Sequence, residues 1–162
     1  MRFVELLIAH WMEGVLFIAA GLGIINIRLR FKNLALLGIM FALTILGVRE
    51  LYEIYNIPYG THSFVLLMIY AIILKTVGKQ RWDASIIAVL ISFLLLILGE
   101  GVFMFNIFKF LNISIEDMLY RPGFRFFGTA LSCIPVIIVF IATHIFKFSI
   151  IDLNRLSENE DN

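Results

Sequence analysis

Apolar runs of about bilayer length follow one another along this chain, separated by short charged clusters, and that alternation leaves few folds open. Inside hydrocarbon each backbone N–H and C=O must be satisfied within the protein, which selects α-helices or closed barrels. The runs cover residues 3–27, 34–56, 61–77, 84–108 and 128–146. They are continuous rather than alternating, so they read as helices. At about 1.5 Å per residue they reach roughly 25–38 Å, against about 30 Å of hydrocarbon. The expected fold is all-α: a polytopic membrane protein, a bundle of about five transmembrane helices over residues 1–150, with a polar cytoplasmic tail at 151–162. The composition agrees, since 61% of the residues are hydrophobic, where a soluble domain holds about 45–50%.

The breaks between runs carry the topology. Arg28, Arg30 and Lys32 close the first run, and Lys75, Lys79 and Arg81 close the third, with Trp82 as an interfacial anchor. Pro58 and Gly60 separate the second run from the third, and Pro135 is placed to kink the fifth. Residues 109–127 mix Phe110, Leu111 and Leu119 with Glu116, Asp117 and Arg121, turn at Pro122-Gly123, and suit a segment lying at the interface. The two short basic loops fall on one side of a five-span chain, together with Lys147 and Arg155. Basic loops stay cytoplasmic, so the expectation is a multi-pass protein of the cell membrane with its N-terminus outside and its C-terminus inside. No secretory signal is expected, because only Arg2 precedes a first run too long for a signal core.

Other classes drop out on chemistry. A formal net charge of +1 implies no nucleic-acid partner. Cys133 is the single cysteine, so the chain forms no internal disulfide and no multi-cysteine metal site. No nucleophile elbow, phosphate loop or His-Glu-x-x-His motif occurs, and neither an enzyme nor a cofactor is expected. Small residues at four-residue spacing (Ala19 and Gly23, Gly38 and Ala42, Gly128 and Ser132) let helix backbones approach closely. They would serve either a homodimer seam or packing within one bundle.

The polar residues gather around residues 47–64, where Arg49, Glu50, Glu53 and His62 lie between two apolar runs. Ionisable groups next to a span need partners, water or a purpose. With the outer surface near residues 3, 56, 61 and 108, His10 lies about 10 Å deep and Glu13 about 15 Å deep. Glu100 falls in the outer third of its run. Thus His10, Glu13, Arg49, Glu50, Glu53, His62 and Glu100 all belong to the outer half. They form either an outward-facing ligand or signal site or a structural ion-pair network in which Arg49 offsets Glu50, Glu53 or Glu100. In the site reading His62 and Glu100 contact the ligand, while Glu13, Arg49 and Glu50 hold the pocket's shape. His10-x-x-Glu13 and Glu50-x-x-Glu53 have ligand-like spacing, but the repeated Glu-x-x-His of a di-iron bundle is missing, so no metal is expected.

The stretch Asn56-Ile-Pro-Tyr-Gly-Thr-His62, leading into an apolar helix, resembles the N-terminal membrane domains of Firmicute sensor histidine kinases. Pro58, Gly60, Thr61 and His62 carry the resemblance, and Tyr59 stands where those domains usually have Phe. It implies a membrane sensor and signal-transduction module with a cytoplasmic or membrane signalling partner. The kinase domains are absent from this sequence, so the expected activity is sensing without a kinase. A small membrane transport or substrate-capture subunit is the alternative, since it would use the same outer cluster to move a solute.

Overall fold

The computed structural model describes residues 2–57, 61–113 and 124–150. They form helices and connecting turns, with no strand among them. Helix α1 spans Arg2–Ile24, α2 Phe31–Ile54, α3 Thr61–Thr76 and α4 Trp82–Leu98. A π-helical turn, Gly99–Met104, joins α4 to α5, Phe105–Phe110. Helices α6, Phe124–Ser132, and α7, Ile134–His144, complete the order.

Three helix ends share one device. Asn26, Asn56 and Asn112 have positive φ, at 63°, 50° and 54°. Each is followed by an isoleucine whose N–H reaches back five residues: Ile27 to Leu22, Ile57 to Tyr52 and Ile113 to Phe108. Each asparagine N–H in turn bonds the carbonyl three residues before it. This pair of bonds satisfies the last carbonyls of a helix around one left-handed residue, a conformation that asparagine tolerates better than most.

The first four helices close a ring. Neighbours pack in the order α1–α2, α2–α3, α3–α4 and α4–α1, while α6 and α7 cover α1 and α4 from outside. The core runs through the ring: Phe17, Ile18 and Leu22 of α1, Leu37 and Phe41 of α2, Tyr70 and Leu74 of α3, and Ala88 and Val89 of α4. Small residues bring the backbones together. A Cβ on Gly21 would strike the Ala88 carbonyl and the Ser92 hydroxyl, one on Gly23 would strike Thr143, and one on Gly38 would strike Val15. Ala19 and Ala42 are fully buried in the same seams. Polar side chains add ties, with Ser92 Oγ donating to the Phe17 carbonyl at 2.6 Å and Trp11 Nε1 to the Ala35 carbonyl at 3.0 Å.

Among the described residues, three helices are long and apolar enough to cross a membrane: Leu6–Ile24, Phe31–Ile54 and Trp82–Phe110. Helices α3 and α7 are apolar but shorter. The outward surface carries large apolar side chains on every helix of the ring, including Met12, Leu43, Phe64, Met68 and Leu94. Water would disfavour so much exposed apolar surface, and hydrocarbon accepts it. The chain is therefore built as a membrane protein.

The fifth apolar run differs most from its sequence reading. Its helix begins at Phe124 rather than near residue 128, and it divides at Cys133. Pro135 has no N–H to offer the Leu131 carbonyl, so the ladder fails one turn before the proline itself. The fourth run continues past Leu98 as expected, but through the π turn. There Asn106 Nδ2 donates to the Val102 carbonyl at 2.7 Å, satisfying an oxygen near the irregular turn. The expected interfacial turn at Pro122-Gly123 and the polar tail at 151–162 lie outside the described residues.

Candidate functional site

A cavity of about 230 Å³ opens inside the four-helix ring. Each helix contributes a polar end and then apolar residues further in. They are Glu13 with Phe17 on α1, Arg49 with Ile45 and Phe41 on α2, and His62 and Ser63 with Tyr70 on α3. Glu100, at the π turn, joins Ile97, Leu96 and Phe93 of α4. Helices α1 and α3 run one way and α2 and α4 the other, so these sequences of residues all descend in the same direction. The result is a polar rim over an aromatic floor. From His62 to Tyr70 the descent is eight residues, about 12 Å of helix.

The rim has a hydrogen-bond chain. Arg49 Nη1 lies 3.4 Å from His10 Nε2, and His10 Nδ1 lies 3.0 Å from Glu13 Oε2. A guanidinium only donates and a carboxylate only accepts, so one tautomer serves both contacts: Nδ1 carries the proton and Nε2 accepts from Arg49. His10 is 4% exposed and stands behind Glu13, outside the cavity lining. It links the cation of α2 to the carboxylate of α1.

The floor is a cluster of rings. Phe41 and Tyr70 stack with centroids 3.8 Å apart, and Phe17 meets them at 5.7 Å each, tilted to Phe41 and edge-on to Tyr70. The Tyr70 hydroxyl is buried and has no hydrogen-bond partner among the described residues. The sequence reading did not single out Tyr70, because a tyrosine in an apolar run looks like an ordinary core aromatic. Its position two helical turns from His62 on the same face was the available signal.

The outer-half residues thus separate. Glu13, Arg49, His62 and Glu100 line one cavity, and His10 supports two of them. Glu50 and Glu53 are exposed and do not line it. The bond seen for Arg49 runs to His10 rather than to Glu50 or Glu100. His62 also meets Tyr52 edge-on at 5.9 Å, and Thr61 Oγ1 donates to the Tyr52 hydroxyl at 3.2 Å, so the start of α3 is tied to the end of α2. Pro58 and Gly60, two of the four residues that carry the kinase-sensor resemblance, lie outside the described residues, as does Tyr59. No group of three or more His, Cys, Asp or Glu side chains among the described residues could hold a metal ion.

The end of α1 away from Glu13 holds the segment that follows α7. The Ile150 N–H donates to the Ile24 carbonyl at 3.0 Å. One helix therefore bears Glu13 in the cavity wall and the exit segment at its other end. No known protein family, curated protein or solved structure matches the chain.

Proposed function

We propose that this chain is a sensor and signal-transduction module of the cell membrane, with the ring cavity as its outward-facing ligand site. Five spans complete the arrangement: α3 and the broken α6–α7 pair cross alongside the three long helices. The basic loops after α1 and α3 support an N-terminus outside and a C-terminus in the cytoplasm. The resemblance around Thr61 and His62 points to the same class. The signal passes to a cytoplasmic or membrane signalling partner.

The observation that carries this reading is the double attachment of α1. Glu13 faces the cavity, and Ile24 accepts the hydrogen bond of Ile150 at the opposite end. A ligand that draws on Glu13 biases the position of α1, and the exit segment moves with it. Such coupling requires only that the ligand bind two positions of α1 unequally. A spin label at Ile150→Cys, in a Cys133→Ser background, tests it. Glu100→Gln should change the label's mobility. Identical spectra with and without that substitution would remove the coupling on which the reading rests.

One feature favours the transport alternative enough to state it. The π turn and the break at Cys133 lie side by side, since a Cβ on Gly99 would strike the Ser132 carbonyl. Paired helix irregularities mark solute sites in many transporters. Solute accumulation by proteoliposomes containing the chain alone would favour that reading over sensing.

A further inference from the structure

The cavity's charge and depth together restrict what it takes. Its lining holds two carboxylates, Glu13 and Glu100, against one guanidinium, Arg49. Arg49 is linked to Glu13 through His10, whereas Glu100 has no ion pair or hydrogen bond among the described residues. An unbalanced carboxylate next to hydrocarbon is costly, and a cation supplied by the ligand offsets it. An acidic ligand would instead add to the excess negative charge. Below the rim the walls are Phe17, Phe41, Tyr70 and Phe93, which suit a flat ring. At about 230 Å³ the space is smaller than the roughly 300–1,000 Å³ typical of drug-sized ligands. Tyr70, 5% exposed, closes the floor, and its hydroxyl is enclosed with no hydrogen-bond partner among the described residues.

We propose that the cavity binds a small primary arylalkylamine, with its ammonium on Glu100 and Glu13 and its ring toward the aromatic walls. The proposal rests on the reading of the ring cavity as the ligand site and specifies that ligand's class. The amine is bound, not transformed.

Three probes separate the parts: tyramine, phenethylamine, which lacks the phenol, and 3-(4-hydroxyphenyl)propionate, which replaces the amine by a carboxylate. Binding is measured by calorimetry on the full chain in detergent. Each variant is first shown to elute and melt like the unsubstituted protein. Tyramine should bind and the acid should not. Glu100→Gln should weaken tyramine at least about tenfold, as loss of a charge-assisted contact does. The proposal is overturned if the acid binds as tightly as tyramine, if neither amine binds at millimolar concentration, or if Glu100→Gln binds tyramine normally. A thiol at Ser63→Cys, in the Cys133→Ser background, tells the two levels of failure apart. If the thiol reacts with an impermeant reagent and the acid protects it, the cavity remains a ligand site and the amine assignment alone falls. If it does not react, the cavity reading falls too.

Discussion

Arg49 on α2 directs a guanidinium N–H at Nε2 of His10 on α1, across 3.4 Å. The contact joins two helices through a buried imidazole whose other nitrogen holds Glu13. It is a long hydrogen bond, and interhelical bonds in membranes average about 0.6 kcal/mol, with a maximum near 1.7. A double-mutant cycle with Arg49→Ala and His10→Ala should therefore give a coupling of about 0.5–1.7 kcal/mol in detergent unfolding. Strictly additive losses would mean that the two side chains do not interact.

Tyr70 should be over-polar for its site when the cavity is empty. A buried hydroxyl without a partner costs about 1–3 kcal/mol. Tyr70→Phe keeps the ring on Phe41 and removes that cost, so the ligand-free melting temperature should rise. A fall would show that the hydroxyl already has a partner, such as an ordered water.

Glycines in the ring should respond oppositely according to what faces them. Gly21 touches the Ala88 carbonyl and the Ser92 hydroxyl, so Gly21→Ala forces α1 away from α4. Overpacking of this kind costs about 1–3 kcal/mol. Gly47, inside α2, has no atom within 4 Å of an added Cβ. Gly47→Ala should stabilise by about 0.5–1 kcal/mol through helix entropy alone. Equal effects at the two positions would contradict the packing of α1 on α4.

Orientation can be read with single cysteines in a Cys133→Ser background. Asn56 follows α2 and Lys79 follows α3, and both are exposed. An impermeant maleimide applied to intact cells should label Asn56→Cys and should label Lys79→Cys only after permeabilisation. The reverse pattern would invert the topology.

Much of the fold is legible in the sequence because hydropathy and helix punctuation act locally. Four apolar runs became helices close to their expected limits, and the turns fall where basic clusters, proline or glycine interrupt them. The repeated Asn-Ile ends at residues 26, 56 and 112 were equally local signals. They were easy to overlook because asparagine also suits ordinary loops. The division of the last run at Cys133 was half visible: Pro135 marked a fault, and the helix divides two residues before it.

What the sequence by itself determined is the helical character, the membrane-length runs and the concentration of ionisable groups toward one end. Only the tertiary structure decided which of those groups meet. Glu13, Arg49, His62 and Glu100 turn into one cavity, while the exposed Glu50 and Glu53 do not line it. It also decided that α1 packs against α2, α4 and the α6–α7 pair and that Tyr70 floors the cavity. The physical reason is that lipid and protein interior are both apolar. A membrane helix can be hydrophobic all round, so its pattern does not reveal which face is turned inward. That choice was made by close backbone approaches at Gly21, Gly23 and Gly38, which depend on shape across helices rather than on any property of one segment.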